Sequence, residues 1–130
     1  MTATTLTIGR LAKAANVNIE TIRYYQRVNL ITEPTKPETG YRQYDLDVIT
    51  RINFIKRAQK LGFSLKEIAE LLDMGDGHCS DIKERAEEKR QTIEKQIEDL
   101  TSLRQTLDSL IHSCDTSGNI HCPIVETLSK

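Results

Sequence analysis

From Asp81 to about His112 the chain contains neither glycine nor proline. Nothing in that stretch interrupts a helix. At about 1.5 Å of rise per residue, its thirty-two residues make a rod of roughly 48 Å. Ala86, Ile93, Leu100 and Leu107 recur seven apart along it. A second series, three positions further on, runs Ile82, Lys89, Gln96, Leu103 and Leu110. This is a heptad seam with a polar middle, the pattern of a short coiled coil. One helix cannot bury its own seam, so the pattern predicts a partner helix.

The cysteines say which partner. There are three, Cys79, Cys114 and Cys122, and the three histidines stand beside them as His78, His112 and His121. Cys79 and Cys114 are 35 residues apart, five heptads, so within one chain they lie roughly 50 Å apart at opposite ends of the rod. A metal with bonds of about 2.3 Å cannot span that distance. Two rods paired antiparallel about an axis near Gln96–Ile97 resolve it. Ile93 then faces Leu100 of the other chain, Ala86 faces Leu107, and Cys79 faces Cys114. The expectation is a symmetric homodimer with two sites, each built from Cys79 of one chain and Cys114 plus Cys122 of the other. Ser80 or Asp81 is expected to cap the rod, which places Cys79 near a helix N-terminus and favours its thiolate.

The first half of the chain has a different character. Residues 1–62 carry ten Lys/Arg against five Asp/Glu, a balance of +5, whereas residues 63–130 carry eight against fourteen, a balance of −6. The N-terminal half is therefore the one suited to a polyanion. Ile8–Ala15 reads as a short helix with Thr7 as its N-cap, Asn16-Val17-Asn18 as a turn, and Ile19–Arg27 as a second helix. Two short helices joined by a three-residue turn form a helix-turn-helix. Residues 29–44, with Pro34, Pro37 and Gly40, read as a small β-hairpin or wing. Asp45 is expected to cap a helix running to about Lys60 and ended by Gly62. Ser64-Leu65-Lys66-Glu67 is a capping box opening a further helix to about Leu72. After the rod, residues 113–123 read as a loop, and Pro123 starts a short terminal helix.

The resulting fold class is mainly α. A winged helix-turn-helix domain over 1–74 precedes a linker and a long antiparallel coiled-coil dimerisation helix over 75–112. A metal-binding loop and short helix over 113–130 complete the chain. No apolar run is long enough to span a membrane, and the N-terminus lacks the regions of a signal peptide, so a cytoplasmic location is expected. Thiols stay reduced there, and an odd cysteine count argues against a disulfide framework. An enzyme is disfavoured, because no nucleophile–base pair stands outside the cysteine segments and there is no glycine-rich phosphate cradle.

On these residues the chain resembles the MerR family of transcriptional regulators over essentially its full length. The words that carry the resemblance are Thr7-Ile8-Gly9, Leu11 to Ala15, Glu20 to Arg27, Tyr41 to Tyr44 and Leu61 to Ile68. His78-Cys79 and the segment Gly118 to Pro123 look like the mercury-responsive branch. The spacing of seven residues between Cys114 and Cys122 is one shorter than is typical of that branch. The resemblance implies a dimeric activator-repressor on double-stranded promoter DNA. Such a protein sits between promoter elements that are too far apart. Metal binding resets its two DNA-reading heads, and the DNA is bent and underwound so that RNA polymerase holoenzyme engages both elements.

Chemistry at the two ends fits this picture. Three thiolates form a trigonal site suited to Hg(II), a soft ion. Zn(II) prefers a fourth ligand, which His78, His112 or His121 could supply, so Cd(II), Pb(II) and Zn(II) stay open as effectors. The histidines have a plainer role as polar neighbours that lower thiolate pKa values. The second helix is expected in the major groove, with Asn18, Thr21, Arg23 and Tyr24 as candidates for base or phosphate contact. Arg10, Lys13, Arg42 and Tyr44 are candidates for the DNA backbone. Tyr25 is either a core aromatic or a contact, and Arg51, Arg57 and Lys60 read as a solvated face. Two other functions keep the same residues in play: a metal buffer, and a redox sensor closing a Cys79 disulfide across the dimer.

Overall fold

Local capping chemistry sets the first half of the fold. The computed structural model describes residues 4–117 and 122–130. Thr7 has extended backbone and its hydroxyl accepts the Arg10 N–H at 3.4 Å, which starts helix α1 (Ile8–Ala14). Asn16 takes the left-handed conformation at φ 55°, which asparagine tolerates, and turns the chain. Asn18 then caps helix α2 (Ile19–Arg27), accepting the Thr21 N–H at 2.8 Å. The helix-turn-helix and the Thr7 cap stand as the sequence predicts, except that Ala15 is the C-cap of α1 and not its last residue; Asn18, read from sequence as the end of the turn, is also the N-cap of α2.

The wing differs from expectation. Residues 32–43 form no strand among themselves; strand β2 (Tyr44–Asp45) pairs antiparallel with strand β1 (Thr5–Leu6) instead. Pro34 and Pro37 lack the N–H that a hairpin ladder needs. The loop is closed by a side chain: Arg42 Nε donates to Pro34 O at 3.0 Å and meets Glu33 Oε1 at 3.1 Å. Because the bridge pairs Asp45 with Thr5, Asp45 does not cap the next helix. Helix α3 (Asp47–Lys60) has Leu46 at its N-cap and no side-chain cap.

Helix α4 (Leu65–Met74) shows the predicted capping box. Ser64 Oγ accepts the Glu67 N–H at 3.1 Å, and Glu67 Oε1 accepts the Ser64 N–H at 2.8 Å. Ser64→Ala is expected to cost about 1 kcal/mol and a few degrees of Tm, read by thermal unfolding. An unchanged Tm would show that core packing alone holds α4. That core comprises fully buried Leu11, Ile22, Leu30, Ile52, Ile55 and Ile68, contributed by α1, α2, the segment after α2, α3 and α4.

Helix α5 (Cys79–Ser117) is longer than predicted at both ends. It begins at Cys79 because the His78 carbonyl already accepts the Ile82 N–H at 3.0 Å, so Ser80 and Asp81 lie inside the first turn and do not cap it. Residues 113–117, expected in a loop, continue the helix, since nothing before Gly118 breaks it. Its 39 residues measure about 58 Å along the axis. The seam stands open to solvent: Ile93, Ile97, Leu100, Leu103, Leu107 and Ile111 are all exposed, Leu100 at 65%. Helix α6 (Pro123–Leu128) follows, with proline at its first position as predicted. The chain divides into two units, Met1–Ile82 and Lys83–Lys130. No helix among the described residues is long and apolar enough to cross a membrane.

Candidate metal centre and nucleic-acid interface

Cys114 and Cys122 come together. Cys114 lies in the last turn of α5 and Cys122 is the N-cap of α6. Their side chains share a hydrogen bond, which is the first cause holding the Cys114 thiol above its usual pKa. The Cys122 thiol is lowered, chiefly by the nearby backbone N–H groups of Val125 and Ile124 in the first turn of α6, although its sulfur makes no capping hydrogen bond. Glu126 opposes that effect without reversing it. Of the two thiols Cys122 is therefore the more acidic, and the readier to meet a soft cation as a thiolate.

Cys79 is elsewhere. It is the first residue of α5 and is exposed, 35 residues before Cys114 on the same helix. All three cysteines stand as thiols and none is in a disulfide. Beside Cys79, His78 Nδ1 lies 3.4 Å from Asp81 Oδ2. His112 is on α5, two residues before Cys114. His121 lies outside the described residues. Among the described residues no three His, Cys, Asp or Glu side chains gather in one place. The described residues of one chain thus bring Cys114 and Cys122 together, with Cys79 at the start of α5.

At the other end, α2 presents a polar face. Arg10, Lys13, Asn18, Arg23, Tyr24 and Arg42 are exposed and Thr21 is half-buried. Asn18 Oδ1 is occupied by capping, accepting also the Thr21 hydroxyl at 2.7 Å, which leaves the Asn18 amide as a donor. Arg23 pairs with Glu20 at 3.3 Å, an exposed contact of the kind that exchanges readily for a phosphate. Arg23 and Arg42 line one concavity of about 210 Å³ with Tyr41, which is 79% exposed.

Tyr44 departs from its predicted place. It is 2% exposed, its hydroxyl bonds to Gln26 Oε1, and burial raises its pKa so that it stays a protonated donor. It is a core residue that braces α2. Tyr25 is likewise core, 4% exposed, with its hydroxyl on Gln59. Arg51, read from sequence as solvated, donates to Leu30 O at 2.6 Å. Two features went unseen in the sequence. Arg27 lies over the Tyr24 ring at 5.6 Å, a cation–π contact that stiffens the exposed end of α2. Lys56 on α3 reaches back to the turn before α2. The spacing of Tyr24 and Arg27, three apart on a helix, could have signalled the first; nothing local signals the second.

Comparison with known proteins finds a family of regulators. Residues 6–75 match the model of MerR HTH family regulatory proteins, and residues 49–110 match that of MerR, DNA binding. A mercuric resistance operon regulatory protein of Serratia marcescens is 47% identical over 95% of this chain and 87% of its own. The crystal structure of a MerR dual-function transcriptional regulator from Bacillus megaterium, in complex with mercury(II), has a TM-score of 0.75 at 40% identity. It covers 96% of this chain and 100% of that one. A lead(II)-bound transcription regulator of Ralstonia metallidurans has a TM-score of 0.83 at 28% identity, covering 95% of this chain and 98% of that one.

Proposed function

The chain belongs to the MerR family of HTH regulatory proteins, and from that premise we propose that it is a Hg(II)-responsive transcriptional regulator acting as a homodimer. The observation that carries the reading is the division of its thiols. Cys114 and Cys122 share a hydrogen bond, while the third cysteine opens the helix whose last turn holds Cys114. A third thiolate for that pair has to come from a second chain, and the exposed seam of α5 asks for one. We assign Cys79 of one protomer and Cys114 with Cys122 of the other to each site. Three soft thiolates fit Hg(II), which supplies the affinity that ties one chain's α5 start to the other chain's α5 end.

The DNA side follows from α2 in the major groove, with Asn18, Thr21, Arg23 and Tyr24 facing it, and with Arg10, Lys13 and Arg42 on the phosphates. Phosphates fix the register, and the cost of deforming the central spacer supplies further specificity. A metal shared between chains biases how the chains are set against each other. The two heads then hold promoter DNA in the bent, underwound form that RNA polymerase holoenzyme can use. Such a regulator works in the cytoplasm.

The lead-bound relative makes Cd(II), Pb(II) and Zn(II) the competing effectors. A competition titration of the four ions, in excess small thiol and read as transcription from bound promoter DNA, separates them. Hg(II) is expected to act at the lowest concentration. A lower threshold for another ion would reassign the effector, and no response to any ion would end the metal-sensor reading.

A further inference from the structure

Apolar packing does not by itself fix the angle at which α2 leaves its domain. Ile22 and Tyr25 meet Ile52 and Ile55 in one core cluster, and such contacts are non-directional. Direction comes from hydrogen bonds, and three side chains of α3 supply them to the helix-turn-helix. Lys56 Nζ donates to Ala15 O at 3.0 Å and to Asn16 O at 3.3 Å, in the turn before α2. Gln59 Oε1 accepts from the Tyr25 hydroxyl at 3.0 Å, on α2 itself. Arg51 Nε donates to Leu30 O at 2.6 Å, just past the end of α2. Lys56 and Gln59 are three apart and share a face of α3.

Lys56 has the most to hold. Ala15 is 2% exposed and is the C-cap of α1, where carbonyls have no partner inside the helix. An ammonium there meets both the unsatisfied carbonyls and the negative end of α1. Leaving such a buried carbonyl without a donor is costly, so the turn is held where Lys56 reaches it.

We propose that Lys56 is a positioning residue for sequence readout: it sets the turn, and through it the pose of α2 on DNA, without touching DNA. The inference rests on the DNA-binding reading above. A lysine in a basic domain is more commonly a phosphate contact, and the two roles have different signatures. Loss of a phosphate contact weakens binding to every sequence alike and lowers the salt slope by about one. Loss of a positioning residue weakens binding to the specific sequence only.

Duplexes enriched by the wild-type protein from a random pool provide the specific probe, and a scrambled duplex of the same composition provides the other. Lys56→Met keeps the aliphatic stem and removes the donors. It is expected to retain helix content and a cooperative melt, and to bind the enriched duplex about tenfold more weakly, the scale of one mismatched base pair. Binding to the scrambled duplex and the salt slope stay unchanged. Lys56→Arg, which also carries several donors, restores most of the preference. Tyr25→Phe removes only the hydroxyl bond to Gln59 and lowers the preference in the same direction, which keeps the test decisive if Lys56→Met does not fold. Equal weakening on both duplexes with a smaller slope makes Lys56 a phosphate contact and overturns the proposal, as does an unchanged preference in Lys56→Met and Tyr25→Phe. A wild-type protein that enriches no sequence removes the DNA-reading premise itself, and the proposal with it.

Discussion

Cys79→Ala is expected to abolish tight Hg(II) binding and to leave DNA binding largely intact. The metal half of this result follows from the donor set. Cys114 and Cys122 remain as a pair, but a small-thiol buffer offers the same two-thiolate ligation in solution. The protein's advantage over that buffer is the third thiolate. Losing a group that only hydrogen-bonds to a metal ligand costs roughly ten- to a hundredfold in metal affinity, so losing a ligand itself is expected to cost more than about a hundredfold. The DNA half follows from location. Cys79 is exposed at the first residue of α5, where alanine is a good helix former, and it contributes nothing to the core around Ile22 and Ile52. Equilibrium competition against a small thiol, beside a DNA titration of the apo protein, checks both halves. Retained affinity in Cys79→Ala would leave a two-thiolate site and refute the three-cysteine assignment.

Leu100→Glu is expected to separate the protomers. Leu100 is 65% exposed in the single chain, and the proposed antiparallel pairing would set it against Ile93 of the other chain. A two-fold seam loses two leucines at once. At about 1.5–3 kcal/mol for each buried leucine, dimerisation weakens by about 3–6 kcal/mol, or two to four decades. The introduced carboxylates add a desolvation cost. A monomer carries one DNA-reading head, so promoter affinity falls with dimerisation through the loss of bivalency. Sedimentation at micromolar concentration with a parallel DNA titration reads both effects. A variant that stays dimeric would place the seam elsewhere on α5.

Sequence legibility followed how local each cause was. The caps Thr7 and Ser64 were readable because a side chain bonds to a backbone group three residues away. Asn16 was readable because few residue types accept its backbone. The wing was not: its strand partner, Thr5–Leu6, lies some forty positions away in sequence, and the prolines that forbid a hairpin also gave it the look of a turn. Tyr44 misled for the same reason. Its exposed neighbours Tyr41 and Arg42 suggested a surface word, but the β1–β2 bridge turns Tyr44 inward. Arg51 read as an ordinary helix-surface charge and Lys56 carried no signal, and only the packing of α3 on the turn shows what they hold. In the second half the heptad count identified α5, and it motivates the proposed facing of Cys79 and Cys114 across two chains. It stopped short of the helix ends, because His78 and Ser117 carry no distinctive capping signature.

The claim that joins the two ends is that each metal is held between chains. Mixing a Cys79→Ala chain with a Cys114→Ala/Cys122→Ala chain tests it most directly. Each homodimer lacks a complete site, whereas a heterodimer regains one: Cys79 from the second chain with Cys114 and Cys122 from the first. Hg(II) titration of the exchanged mixture in excess small thiol is expected to show tight binding at one ion per heterodimer, against none for either parent alone. A mixture that binds no better than its parents would show that one chain supplies all three thiolates, and would contradict the shared site.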